Sequence, residues 1–148
     1  MLFPRIRRHL GRRGALLVIV GAGEIIWGLQ FVLDPAPNPQ GLTLLTEVAP
    51  VHYWAWMWVV AGVAAVAAAT VRIGRDWPGF AAALAPPTVW STAYVAAGLA
   101  GEYTRGLWIA AWYLSSHVGV IMWASAIPEF AAAPPAVPAA RPVKEGAA

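Results

Sequence analysis

The sequence predicts an all-α membrane protein: an antiparallel bundle of four transmembrane helices with both termini on the cytoplasmic side. Three observations predict it. Hydrophobic residues make up 59% of the chain and charged residues only 11%, against roughly 25% charged in ordinary soluble domains, so a water-facing surface cannot be covered. Four stretches, 14–33, 53–71, 79–100 and 107–127, reach the roughly 20 apolar residues that a helix needs to cross hydrocarbon. The cations between them alternate by side: nine (Arg5, Arg7, Arg8, Arg12, Arg13, Arg72, Arg75, Arg141 and Lys144) fall on one side and only Arg105 on the other. The rich side is the cytoplasmic one by the positive-inside rule.

Taken in order, residues 1–13 form a basic cytoplasmic N-terminus. The span at 14–33 is read as retained, because it is long, contains Glu24 and lacks a small-x-small cleavage site. Asp34-Pro35 ends it, since proline disfavours helical geometry at the preceding residue. The loop at 34–52 lies outside, and its GLTLLTEV segment (41–48) could lay Leu42, Leu45 and Val48 on the membrane surface as a short helix. The 72–78 and 101–106 segments are short turns that force antiparallel neighbours, and Pro128 stops the fourth span. Residues 128–148 contain five prolines and little to bury, which predicts a disordered, partly extended cytoplasmic tail.

Aromatic residues mark the expected headgroup levels, where a ring can be apolar on its body and wet at its N–H or O–H. Trp54, Trp56 and Trp58, with Tyr53, cluster at the outer end of the second span, and Trp108 and Trp112 at the same level of the fourth. Trp77 and Trp123 fall near the inner level, whereas Trp27 and Trp90 lie deeper and are expected inside the bundle.

Glu24 is the only formally charged side chain between Gly14 and Leu33. A charge at mid-bilayer costs roughly 2.5–3.5 kcal/mol on the mildest scale, so Glu24 is expected to face the bundle interior. Gly21, Glu24 and Gly28 share one helical stripe, and small residues there admit a close neighbour. In the second span Ala61, Ala65 and Ala69 form a ridge of small residues with Gly62 beside it, suited to packing within the bundle or between copies. His117 lies as deep in the fourth span as Glu24 does in the first, and Thr88, Ser91 and Thr92 lie at a similar level, with Ser115 beside His117. The expectation is a buried polar layer of these six residues. It either fixes helix register or titrates in use, and the residues leave both readings open. Pro86-Pro87 is expected to kink or break the third span, with Thr88 placed to satisfy a freed carbonyl.

Several classes of chemistry have no support. There are no cysteines, which removes thiol redox chemistry, thiolate metal sites and disulfides. Glu24 and His117 are too few for a metal or haem site, and His52 is far from both, so neither metal nor cofactor is expected. No nucleophile–base pair or phosphate-cradling loop is visible, so no catalytic residue and no enzymatic activity is expected. The net charge of +3 comes from cations beside membrane spans without a groove-reading motif, and nucleic acid is not an expected partner.

The stretches YWAWMWVVAGV (53–63), RDWPGF (75–80), PPTVWSTAY (86–94) and RGLW (105–108) give residues 53–127 a resemblance to small four-span membrane proteins encoded by phages of actinobacteria. The resemblance covers about half the chain and rests on pattern; Glu24 and His117 map to no role within it. It implies a holin or holin partner, which oligomerises in the host cytoplasmic membrane and lets a lytic enzyme reach the wall. The alternative is a structural, partner-binding or superinfection-excluding membrane protein that meets a cytoplasmic or phage-encoded partner through its tail. A small proton-coupled transporter or channel using Glu24 ranks below both, because the long outer loop and the strong orientation bias count against it.

Overall fold

Residues 3–34, 39–71 and 74–126 are described by the structure, a computed structural model, with side chains from residue 11 onward. The predicted tail at 128–148 and the stop at Pro128 lie outside the described residues, as do Arg72, Arg141, Lys144 and the side chains of Arg5, Arg7 and Arg8.

All regular structure among the described residues is helical: α1 (Phe3–Leu33), α2 (Thr43–Thr46), α3 (Val51–Ala68), α4 (Trp77–Leu99), α5 (Gly106–Tyr113), a π-helical segment (Leu114–Gly119) and α6 (Val120–Ala126). The α1 helix turns sharply at Gly11, whose φ of 58° is in the left-handed region that suits glycine. Three helical stretches are long and apolar enough to cross a membrane: Gly11–Leu33, Val51–Ala68 and Gly106–Ala126, the last running through α5, the π segment and α6. The α4 helix spans 23 residues, about 34 Å at 1.5 Å per residue, but is not among the three. Three prolines and a run of hydroxyl and aromatic residues dilute its apolar character. It is also the most shielded helix, packing between α3 and α5 with Trp90 and Ala93 fully buried.

Packing follows the small residues. Gly21 of α1 and Gly62 of α3 face each other so closely that a Cβ on either would run into the other's carbonyl. A Cβ on Gly28 would stand 2.8 Å from the Ala55 carbonyl. Ala65 packs beside Gly21 in the same contact, and Ala61 and Ala69 are buried as well, so the small ridge is used inside the chain. Gly106 does the same for α5 against the Tyr94 carbonyl of α4.

The core divides into two clusters along the bundle. One, at the basic end, holds Leu17, Ala65, Ala69, Phe80, Ala83, Ile121 and Ala124. The other, at the opposite end, holds Leu42, Leu45, Val51, Trp58, Trp90, Ala93 and Tyr113. Between them every long helix carries an irregularity: Glu24 on α1, Gly62 on α3, Pro86-Pro87 on α4 and the π segment after α5.

Three sequence-based expectations are corrected here. Trp58 is 1% exposed and belongs to the core, not to the interface; Trp54 and Trp58 are four residues apart and share the inward face, which leaves Trp56 pointing out. Leu42 and Leu45 do not lie on the membrane surface, because the short α2 tucks both into the second cluster while Val48 stays exposed. Gly41 makes that tuck possible: its φ is +82°, and any side chain there would strike the rings of Tyr94 and Tyr103. Trp54 donates its indole N–H to the Leu45 carbonyl at 2.8 Å and so ties α2 to α3. Finally, of the two outcomes expected at Pro86-Pro87, a kink or a break, the break does not occur: α4 runs through both buried prolines as one helix.

Candidate functional site

The ring of helices is incomplete. The α1 helix packs on α3, α3 on α4 and α4 on α5, but the backbone of α1 stays apart from those of α5 and the π segment, with Trp27 hydrogen-bonded to the Tyr113 hydroxyl across the gap. The result is a cleft of about 620 Å³, lined by Ile19, Val20, Gly23 and Trp27 from α1, Trp58 from α3, Tyr94 from α4, Ile109, Trp112 and Tyr113 from α5, and Ser116 and His117 from the π segment. At the basic end the gap closes, where α6 meets α1 and Arg13 donates to the Ser125 carbonyl.

Aromatic rings form much of the lining. Tyr94 and Tyr113 stack at 6.2 Å with 13° between their planes. Trp58 stands 6.0 Å from Tyr113 and 5.5 Å edge-on from Trp90. His117 lies 5.3 Å from Tyr113. Its Nδ1 is 2.8 Å from the Ser116 hydroxyl, and Ser116 also donates to the Trp112 carbonyl. Ser116 and His117, three and four residues after Tyr113, share its face of the helix, and both belong to the π segment.

The six residues expected to form a polar layer are not joined into one network. Glu24 is 2% exposed, and neither carboxyl oxygen has a hydrogen-bond partner among the described residues. It sits on the Gly21–Gly28 stripe that faces α3, while its neighbour Gly23 lines the cleft. His117 bonds Ser116, not Glu24. Ser91 is buried and donates to the Pro87 carbonyl at 2.6 Å. Thr88, Thr92 and Ser115 point out of the bundle, and each hydroxyl returns to a carbonyl of its own helix, at Leu84, Thr88 and Ala111. The cause is proximity: in apolar surroundings a short hydroxyl is satisfied at once by the carbonyl four residues back. Thr88 therefore bonds Leu84, not the carbonyls of Ala82 and Ala83 that the prolines leave free. Among the remaining anchors, Trp56, Trp77, Trp108, Trp112 and Trp123 are exposed.

A second polar constellation went unnoticed in the sequence. Arg13 makes a bidentate ion pair with Asp76, at 2.7 Å from Nε and 3.0 Å from Nη2, and its guanidinium lies 4.7 Å over the Phe80 ring. Its contact with Ser125 adds a third helix, so one side chain fastens α1, the start of α4 and α6. Hydrogen bonding from Arg13 holds the Asp76 carboxyl below the usual aspartate range, against the opposing effect of burial. The signal was present: Asp76 is the only carboxylate between Glu47 and Glu102. The cleft had a fainter one in Gly23, a glycine off the packing stripe. Among the described residues no three His, Asp or Glu side chains converge as a metal cage requires. Set against models of protein families, curated proteins and solved structures, the chain matches none.

Proposed function

We propose that this chain is a four-span protein of a bacterial cytoplasmic membrane, with both termini cytoplasmic, that acts without catalysis by associating with other molecules in that membrane. Its place is among the lysis-associated, holin-like proteins that its sequence resembles. The observation that carries the reading is the exterior. The outward faces of the long helices present Ile19, Ile26, Leu33, Val60, Val63, Met122 and Trp123, a surface compatible with lipid or with another apolar helix and not with water. In this reading α4 is the fourth span, tolerating its prolines and hydroxyls because its neighbours shield it.

One observation favours the second reading, a partner-binding or superinfection-excluding protein. The Gly21–Gly62 contact joins α1 to α3 and the alanine ridge is buried inside the chain, so the small-residue surface best suited to self-assembly is already occupied. A pore of many copies would have to assemble through the larger side chains of the outer faces.

Inducible expression in a bacterial host, followed by membrane potential and by release through a co-expressed cytoplasmic lytic enzyme, separates the two. Abrupt depolarisation with enzyme-dependent lysis supports the holin-like role. Polarised, growing cells that carry inserted protein overturn it in favour of the partner-binding role.

A further inference from the structure

We propose that the cleft between α1 and the α5–π segment binds a lipid-soluble molecule with a flat, hydroxyl-bearing ring and an alkyl tail, of phenol or hydroquinone chemistry, taken laterally from the bilayer. The proposal rests on the membrane placement above and not on the lysis role.

Access sets the first constraint. Ile19 and Trp112 stand at the rim and are 70% and 64% exposed, on helices whose outer faces meet hydrocarbon, so the occupant arrives dissolved in lipid. Its size follows from the cleft volume of about 620 Å³, within the range of pockets that take small organic ligands. Its shape follows from the exposed rings of Trp27 and Trp112, which line the cleft with the half-buried Tyr94, and against which a flat ring gains more contact than a flexible chain.

The polar requirement follows from proton counting. Ser116 has one hydroxyl proton, and it goes to the Trp112 carbonyl. The bond between Ser116 and His117 Nδ1 must then be donated by the imidazole, which leaves Nε2 as a bare acceptor. No described group bonds Nε2. An acceptor in a mostly apolar cleft selects a ligand that brings a donor, and a ring hydroxyl is the donor that suits both the aromatic walls and the lipid route.

The test uses the full chain in nanodiscs, with 4-dodecylphenol as probe and its methyl ether, 4-dodecylanisole, as the same shape without a donor. Ligand retained above protein-free nanodiscs of the same lipid is measured. Saturation near one phenol per chain is expected, with the ether about tenfold weaker, the loss of one hydrogen bond in an apolar site. A Cβ added at Gly23 meets nothing within 4 Å, so Gly23→Leu should project into the cleft and weaken retention while the protein stays monodisperse. His117→Phe should bring phenol and ether to within about twofold of each other, since the donor's partner is gone. Equal retention of phenol and ether by the unmodified chain, or full retention by Gly23→Leu, overturns the site. Failure of the chain to enter nanodiscs at all is a different result, which overturns the membrane placement and the proposal with it.

Discussion

Arg13 and Glu24 are two charged residues a few turns apart on one helix, and their surroundings assign them opposite fates. Arg13 meets a carboxylate, a carbonyl and an aromatic ring; Glu24 has no hydrogen-bond partner among the described residues. For the Arg13–Asp76 pair the sign of the pH dependence is fixed. The Asp76 carboxyl titrates lower in the folded chain than when unfolded, so its stabilisation is fully present above the ordinary aspartate range and is lost as pH falls through the lowered folded value. Asp76→Asn should therefore cost about 3 kcal/mol near pH 7, as breaking a buried pair does, and the gap to the unmodified protein should close under acid. Thermal loss of monodispersity in detergent, measured as a difference between the two proteins across a pH series, checks it. A gap that stays constant into acid would show that the pair contributes no charge-dependent stability. Glu24 calls for a different test. Glutamine keeps its shape and needs no counter-charge, so Glu24→Gln should insert and remain monodisperse, whereas Glu24→Lys places a longer cation where nothing can pair with it. Normal yield of the lysine variant would refute the buried position.

At the scale of elements, the glycines of GAGEIIWG make the sharpest contrast. Gly21 and Gly23 are two residues apart, yet a Cβ on Gly21 strikes α3 and one on Gly23 meets open space. Gly21→Ala should lower the temperature at which monodispersity is lost, and Gly23→Ala should leave it unchanged or raise it, since alanine is the better helix former by roughly 1 kcal/mol. Equal effects at the two positions would mean that α1 does not dock on α3 through this stripe. The stripe was legible in the sequence because periodicity alone decides which residues share a face; that α3 is the helix docked on it was not. The expectation of a shared depth for Glu24 and His117 came from counting along the spans, whereas Pro86-Pro87 lies about a third of the way into its own. What each group bonds was not legible. Hydroxyl spacing on Thr88 and Thr92 looks the same whether the groups reach across to a neighbour or back to their own carbonyls, and only the packing decides. The π segment left no mark in LSSHVG (114–119) that an α turn would lack. A cleft is harder still, because it is a gap between the backbones of α1 and α5, and no residue pattern encodes a gap directly.

At the scale of the molecule, the remaining question is how many times the chain crosses the bilayer, and α4 decides it. By composition α4 is the least suited of the four long stretches, yet its length and its shielding between α3 and α5 allow it to cross beside them. If it crosses, the turn before it and the turn after it lie on opposite sides. Arg75 and Glu102 occupy those turns, and both are exposed. The chain has no cysteine of its own, so Arg75→Cys and Glu102→Cys each introduce a single thiol. An impermeant maleimide added to intact spheroplasts should label the thiol at 102 and leave the one at 75 unlabelled until the membrane is opened. That pattern fits four spans with the basic end inside, as the distribution of cations requires. Labelling of both thiols in intact cells would place α4 along the surface. The basic end, with its Arg13 clamp, would then lie on the opposite side from the one that the charges predict.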